Sequence, residues 1–261
     1  MKKIAWVAAL GLAALLCAGF AAAPAWGQTA EELWRKAQET QSYEAQIRYY
    51  TEYIRLRPES YAAYTNRGSA YGRRGLYDLA VADHTKAIQL KPDYMLAYSN
   101  RAAIYKRLRL LDLALADIAK VLQREPNHVF SLSNQAEIYL MKKLYLQALA
   151  AQEKVVRLAP EDSAANNFLA WFLATCPGPP SCRDGKRAVE IAIKSVRLRW
   201  DEYNLDTLAA AYAEAGRFED AVKTQQQAID LLRQKKAGEV RIASYEKRLN
   251  LYLQRKPYRD N

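Results

Sequence analysis

Four prolines recur at an interval of 34 residues along the chain: Pro58, Pro92, Pro126 and Pro160. A fixed period of this length is typical of a stack of short helical units, in which each unit buries its apolar face against its neighbours. The period therefore predicts a repeat array and argues against one globular core. Because repeat arrays mainly present surfaces that hold other molecules, this period constrains the architecture more firmly than it constrains the ligand.

We align the repeats of 34 residues so that each proline occupies position 32. Similar residues then recur at several other positions of the repeat. Small residues occupy positions 8 and 20, which lets two antiparallel helices approach closely, and large residues at positions 4 and 11 fill the seam between them. Proline then ends the second helix. Position by position, the columns are Tyr64, Tyr98 and Leu132; Gly68, Ala102 and Ala136; Tyr71, Tyr105 and Tyr139; Ala80, Ala114 and Ala148.

These columns resemble those of the tetratricopeptide repeat, and the likeness is strongest over residues 61–162. The resemblance implies an all-α, right-handed superhelical α-solenoid of about six helix-turn-helix repeats with a C-terminal capping helix. We expect a degenerate first repeat over 28–60 and three regular repeats over 61–162. Two further repeats should follow over 163–233, and the capping helix and tail should occupy 234–261.

The first residues predict a secretory signal peptide over 1–27. Lys2 and Lys3 precede an uncharged apolar run, and small residues follow before Gln28. This order of charge, apolar run and small residues is typical of export signals, with cleavage expected after Ala25 or Gly27. An uncleaved membrane anchor is an alternative, because about 20 apolar residues can span a bilayer. Either interpretation predicts an exported protein of the periplasm or cell envelope.

The charge balance favours acidic partners. The whole chain carries 39 basic and 28 acidic residues, and its net charge would be +9 after loss of Lys2 and Lys3 with the signal. A basic excess attracts acidic proteins and anionic surfaces. A generally solvated basic surface is the plainer interpretation. Nucleic acid is not expected, because the protein is predicted to be exported and has no recognised nucleic-acid-binding module.

Two cysteines, Cys176 and Cys182, enclose a turn-rich stretch inserted in the fifth repeat. In an oxidising compartment this arrangement predicts a local disulfide. A metal site is a weaker alternative, because the only histidines, His84 and His128, occupy packing and turn positions. The segments 175–177, 183–188, 205–208 and 256–259 resemble the closing module of exported bacterial tetratricopeptide proteins.

The sequence contains no motif of a common catalytic site. It has no Gly-Lys-Ser/Thr phosphate loop, no His-Glu-x-x-His motif and no Gly-x-Ser-x-Gly motif. We therefore expect neither an enzyme nor a cofactor.

The internal repeats carry an asparagine at position 6: Asn66, Asn100 and Asn134. The family resemblance implies that this position faces the concave groove, where a ladder of amides could bond an extended peptide backbone. Alternatively, each amide bonds a neighbouring helix.

Other residues predict a chemical gradient along the same groove. Arg73, Lys106 and Arg107 would line the groove, with Lys106 and Arg107 beside the acidic part of a partner segment. Phe130, Phe168 and Trp171 would form an apolar middle. Asp206 and Glu214 would make the far end acidic.

Position 7 carries Arg67 and Arg101 in a column that is normally apolar, and the same repeats carry Asp83 and Asp117 at position 23. A half-buried guanidinium needs a carboxylate partner, so we expect an ion pair within each repeat.

The sequence as a whole predicts a non-catalytic protein-interaction scaffold of the cell envelope, which binds an extended peptide or partner segment in the concave groove. Two alternatives remain open at this stage. One is a structural assembly subunit that uses its outer faces, and the other is an accessory subunit of an envelope enzyme.

Overall fold

The computed structural model describes residues 28–260, which form thirteen α-helices and one 3-10 turn and contain no β-strand. This confirms the prediction of an all-α solenoid. The helices are α1 (Ala30–Glu39), α2 (Tyr43–Leu56), α3 (Tyr61–Arg73), α4 (Tyr77–Leu90), α5 (Met95–Arg107), α6 (Leu111–Arg124), α7 (Val129–Met141), α8 (Tyr145–Leu158), α9 (Ser163–Thr175), α10 (Gly185–Leu198), α11 (Glu202–Glu214), α12 (Phe218–Gln234) and α13 (Glu239–Leu253).

Each helix packs against the next along the chain, and first helices of successive repeats also contact each other, as α3 does with α5 and α9 with α11. The first helices therefore line up side by side and share one surface. The predicted signal peptide at 1–27 lies outside the described residues. No helix between residues 28 and 260 is long and apolar enough to cross a membrane.

Small residues bring the two helices of each repeat together. Ala80, Ala114 and Ala148 are completely buried at the same position of three successive repeats. At Gly68 the two helices approach closely, because a Cβ atom there would stand 3.0 Å from the ring of His84. The second helices end two residues before the repeat prolines, at Leu56, Leu90, Arg124 and Leu158.

The turn inside the second, third, fourth and sixth repeats uses a left-handed residue at position 15. Gly75 and Gly216 have φ values of 75° and 77°, and Arg109 and Lys143 are held at 62° and 59°. In the turn after α5, the N–H of Leu110 donates to the carbonyl of Tyr105, which is the closing bond of a Schellman cap. The backbone is thus the same with or without glycine.

The ion pairs expected at positions 7 and 23 are present in the second and third repeats. Arg67 donates from Nε and Nη2 to the two carboxylate oxygens of Asp83 at 2.7 and 2.8 Å, and Arg101 contacts Asp117 in the same way at 2.8 Å. Both carboxylates are buried. The fourth repeat replaces the acid with Ala151, so it has no carboxylate to neutralise.

The fifth repeat is interrupted by an insert between α9 and α10. Cys176 and Cys182 are joined by a disulfide with their Cα atoms 6.3 Å apart, and both are buried. Arg183 donates from Nη1 to the carbonyls of Cys176 and Gly178 at 2.8 and 3.0 Å. The disulfide and this guanidinium together fix the insert against the end of α9.

Helix α13 covers the last repeat. Tyr245 and Tyr252 are buried in the large C-terminal hydrophobic cluster, and Ile242 and Leu249 pack against it from the same helix. The tail beyond α13 returns to the fifth repeat, where the N–H of Asp260 donates to the carbonyl of Thr175.

We expect Arg109→Gly to raise the free energy of unfolding by up to about 1 kcal/mol, because a side chain is strained at positive φ. Lys86→Gly is the control, because Lys86 is exposed inside α4. Glycine there should lower the free energy of unfolding by about 1 kcal/mol, since glycine has a low helix propensity. Urea denaturation of both variants measures the difference. Destabilisation of similar size in the two proteins would contradict the role of the turn.

We expect Asp83→Ala to cost about 3 kcal/mol, because it leaves the largely buried Arg67 guanidinium without a carboxylate and with only the Thr51 hydroxyl, at 3.2 Å, still bonded to it. The double variant with Arg67→Leu should be more stable than Asp83→Ala alone. A double-mutant cycle measured by urea denaturation should give a coupling of at least about 1 kcal/mol. The surface pair Lys142–Asp112 is the control, with an expected coupling below about 0.5 kcal/mol. Equal coupling in the two cycles would refute the structural role.

Candidate binding groove

A cleft of about 500 Å³ lies over the first four repeats, from α2 to α7, and we call it the basic groove. A second cleft of about 400 Å³ shares Tyr43, Ser69 and Arg73 with it and continues past α1 and α2. The residues of the basic groove that bear on binding are Arg73, His84, Asn100, Arg107 and Phe130.

The structure therefore brings together four of the predicted binding residues, Arg73, Asn100, Arg107 and Phe130, in one cleft. Asn66 lines the adjoining cleft. The remaining predicted residues lie elsewhere. Phe168 and Trp171 line a separate pocket, which is described below.

Arg73 and Arg107 are the two exposed cations of the basic groove. They occupy position 13 of adjacent repeats. Arg73 lies 5.6 Å from the centre of the Tyr43 ring and donates to its hydroxyl at 3.4 Å. Neither guanidinium forms an ion pair with any residue between 28 and 260. Both can therefore receive an acidic group without first losing a carboxylate partner.

The predicted ladder of three asparagines is wrong at Asn134. The Nδ2 atom of Asn66 donates to the Tyr50 hydroxyl, and that of Asn100 donates to Ser69 Oγ, both at 3.2 Å. Asn134 is only 4% exposed and donates to the Phe130 carbonyl of its own helix at 3.0 Å. Asparagine side chains readily bond nearby backbone, and this bond removes Asn134 from the inner surface.

Lys106 is also not available to a partner. Its Nζ atom lies 2.6 Å from Glu137 Oε2, and its side chain is 14% exposed. Glu137 belongs to the next repeat, so the pair forms only when α5 and α7 lie side by side. Sequence reasoning considered each repeat alone and missed this contact. The signal that could have revealed it is the opposite charge at position 12 of one repeat and position 9 of the next.

His84 is a groove residue that the sequence indicated only as a packing residue. It is completely buried, and neither ring nitrogen has a hydrogen-bond partner among the residues described. Burial, together with the smaller effect of the nearby Arg101 charge, lowers the pKa of His84 from 6.5 to about 4. The imidazole is therefore neutral at pH 7 and adds no charge to the groove.

A larger pocket of about 670 Å³ lies between α9, α11 and α13, and we call it the aromatic pocket. Phe168 and Trp171 line it together with Tyr203 and Tyr245.

The predicted acidic end of the groove is wrong, because both of its acids are neutralised. Asp206 is 2.7 Å from Arg248, and Glu214 is 2.6 Å from Arg259. Burial raises the pKa of Asp206, against the opposing effect of Arg248.

Within residues 28–260 no group of histidine, cysteine or acidic side chains is arranged to hold a metal ion. The basic groove offers cations, amides and an exposed aromatic ring. These groups can bind a peptide or another acidic ligand, and their arrangement does not resemble a nucleophile with its base.

Comparison with known proteins finds the same repeat. The family model described as tetratricopeptide repeat matches residues 61–94. No curated protein matches the chain. Among solved structures, MamA from Desulfovibrio magneticus RS-1 is 22% identical over 65% of this chain and 94% of its own, with a TM-score of 0.56.

Two other solved structures are similar over more of the chain. A tetratricopeptide repeat protein from Parabacteroides merdae is 19% identical over 86% of this chain and 91% of its own, with a TM-score of 0.60. YrrB, described as a TPR protein with an unusual peptide-binding site, is 18% identical over 72% of this chain and 97% of its own, with a TM-score of 0.57. At these identities the likeness concerns the fold.

The low pKa of His84 predicts a pH-dependent stability. Between pH 6.5 and 4 the unfolded chain binds more protons at this residue than the folded protein, so stability should fall as the pH falls through this window. The loss from His84 alone should reach about 3 kcal/mol near pH 4. His84→Ile, which copies Ile118 at this position of the next repeat, should remove that part of the loss.

Urea denaturation at pH 7 and pH 4 measures the effect for both proteins. Carboxylates contribute to the pH dependence equally in wild type and variant, so the difference between the two proteins isolates the imidazole. The same loss of stability in both would show that His84 is not held neutral by burial.

Proposed function

Since this chain is a tetratricopeptide repeat protein, we propose that it is a protein-interaction scaffold that binds an extended, acidic segment of a partner protein in the basic groove. The observation that carries the proposal is the pair of exposed guanidinium groups of Arg73 and Arg107, neither of which forms an ion pair with a residue of the range 28–260. Most of the other charged side chains on the inner helices are neutralised within the protein, as Lys106 is by Glu137.

The two arginines suit carboxylates for a geometric reason. A guanidinium presents parallel N–H donors that match both oxygens of a carboxylate, and such charge-assisted bonds are stronger than neutral ones. Arg73 and Arg107 lie one repeat apart, so they would contact acidic residues at two places along one extended segment. The net basic charge of the chain would also speed the approach of an acidic partner.

Amide and aromatic groups beside the arginines would hold the rest of the segment. Asn66 and Asn100 use their amide nitrogens within the fold, and no described residue donates to their carbonyl oxygens. Those oxygens can accept from backbone N–H groups of a bound chain. Phe130 is exposed at the edge of the groove and could cover an apolar side chain. The peptide-binding site of YrrB, a protein with the same fold, supports this use of the groove.

The location that fits this function is the periplasm or cell envelope. This part of the proposal rests on the signal-like residues 1–27 and on the disulfide between Cys176 and Cys182, which is stable in oxidising compartments. If the signal is cleaved, the scaffold is released from the membrane. If it is retained, residues 1–27 anchor the scaffold to the membrane. The partner is then an envelope or exported protein, and the scaffold itself is not catalytic.

A second candidate function is assembly through the outer edge of the solenoid. Leu76 and Leu110 are exposed at position 16 of adjacent repeats, and Leu79 and Leu113 are exposed at position 19. This repeated apolar edge could pack against another subunit and leave the basic groove unused.

Selection of a random peptide library displayed on phage tests the proposal with the purified protein. We expect selected peptides to be rich in Asp and Glu. The affinity of a selected peptide should fall at least tenfold in Arg73→Ala/Arg107→Ala, because each lost charged hydrogen bond contributes about 1.5–3 kcal/mol. Isothermal titration calorimetry measures the affinities.

Lys86→Ala/Lys120→Ala is the matched control, because it removes two exposed cations one repeat apart on the second helices, α4 and α6. It should leave the affinity almost unchanged. Equal weakening in both double variants would mean that general charge alone attracts the peptides. Selected peptides that lack acids and bind independently of Arg73 and Arg107 would favour assembly through the leucine edge instead.

A further inference from the structure

The fifth repeat departs from the others at the positions that face the shared inner surface. Position 6 carries asparagine in three repeats and Phe168 in the fifth, and position 9 carries Ser69, Ala103 and Glu137 before Trp171. The inner surface therefore changes from small and polar to large and aromatic. The aromatic pocket lies at this change, and α13 closes one side of it.

The walls of the pocket are held in place by the fold. Trp171 donates from Nε1 to Asp260 Oδ2 at 3.0 Å, and its ring lies 5.8 Å from that of Tyr258. Phe168 belongs to none of the buried hydrophobic clusters found between residues 28 and 260, and Tyr203 is exposed on the opposite wall. Two aromatic faces are thus open to a ligand, beside a third that the tail fixes.

The pocket contains three arginines, but it has little free charge. Two of the guanidiniums lie over aromatic rings, Arg241 at 4.4 Å from the centre of Tyr203 and Arg248 at 4.6 Å from that of Tyr245. Each of the three is also paired with an acid, and Glu202, the partner of Arg241, binds Lys235 at 2.5 Å as well. No guanidinium of the pocket is therefore left without a carboxylate. The ion pairs are Arg199 with Asp201 (2.7 Å), Arg241 with Glu202 (2.6 Å) and Arg248 with Asp206 (2.7 Å).

One polar atom of the pocket lacks a partner. The Oδ1 atom of Asn167 is shielded from solvent, and no donor reaches it from the part of the chain that the structure describes. A buried acceptor without a hydrogen bond costs about 1–3 kcal/mol. Because Asn167 lines the pocket, rotation of its side-chain amide toward a ligand N–H group would recover this free energy.

We infer that the aromatic pocket binds an uncharged aromatic residue, tryptophan or phenylalanine, of a partner polypeptide. Its ring would stack between Phe168 and Tyr203, and its backbone N–H would donate to Asn167 Oδ1. The volume of about 670 Å³ exceeds one side chain and leaves room for the flanking peptide groups. This inference rests on the proposed function in that the ligand is a polypeptide, but it uses a different site.

The test uses single residues with blocked ends as probes. N-acetyl-L-tryptophanamide is titrated into the ¹⁵N-labelled protein and followed by NMR. We expect shifts at the Trp171 indole and the Asn167 side-chain amide, and affinity at least about fivefold tighter than that of N-acetyl-L-leucinamide. Phe168→Ala should weaken binding at least about fivefold, and Tyr203→Ala, an exposed position that is easily tolerated, should do the same.

Trp200→Ala is the control, because Trp200 is 62% exposed next to α11 and does not line the pocket. It should leave the affinity of the probe unchanged, as should Arg73→Ala/Arg107→Ala. Absence of shifts at the pocket with 20 mM probe, equal binding of the leucine probe, or full affinity in folded Phe168→Ala and Tyr203→Ala would each overturn the inference. Because Arg73 and Arg107 do not line the aromatic pocket, failure of this test would leave the basic groove proposal standing.

Discussion

The close contact between the two helices of each repeat is the constraint on which the rest of the structure depends. Ala80, Ala114 and Ala148 have no exposed surface, and a Cβ atom at Gly68 would press on the ring of His84. Larger residues would separate the helices and remove the seam that each repeat buries. Because this contact recurs every 34 residues, the first helices fall side by side, and position 13 of one repeat lies next to position 13 of the following one.

The same type of side chain has different uses according to its column. Arg67 faces the seam and is held by Asp83, whereas Arg73, six residues later in the same helix, faces the groove without a carboxylate partner among the described residues. A half-buried guanidinium must be paired, because desolvation without a partner is costly, and an exposed one need not be. The third repeat has arginine at the same two positions, 7 and 13. The two repeats together therefore contain two structural ion pairs and two cations for binding.

The C-terminal repeats have a different inner surface because three local features differ from the regular repeats. The insert held by Cys176 and Cys182 ends α9, the tail returns to contact Trp171, and α13 supplies Tyr245 to the aromatic pocket. The result is an inner surface with two chemical parts, a basic groove over the first four repeats and a neutral aromatic pocket over the last two. A partner segment with acidic residues toward one end and an aromatic residue toward the other would match both.

The sequence by itself determined the period, the all-α fold, the helix ends and the turns, because these depend on local backbone chemistry and on residues that recur at fixed positions. It also placed Arg73, Asn100, Arg107 and Phe130 correctly on one surface. Only the tertiary structure decided which of the predicted groups are available. Lys106 is paired with Glu137 of the next repeat, Asn134 bonds its own helix, and His84 is buried without a partner in the described part of the chain. Such outcomes depend on distances across neighbouring repeats, where a shift of a few ångströms makes or breaks a contact, and no single repeat encodes those distances.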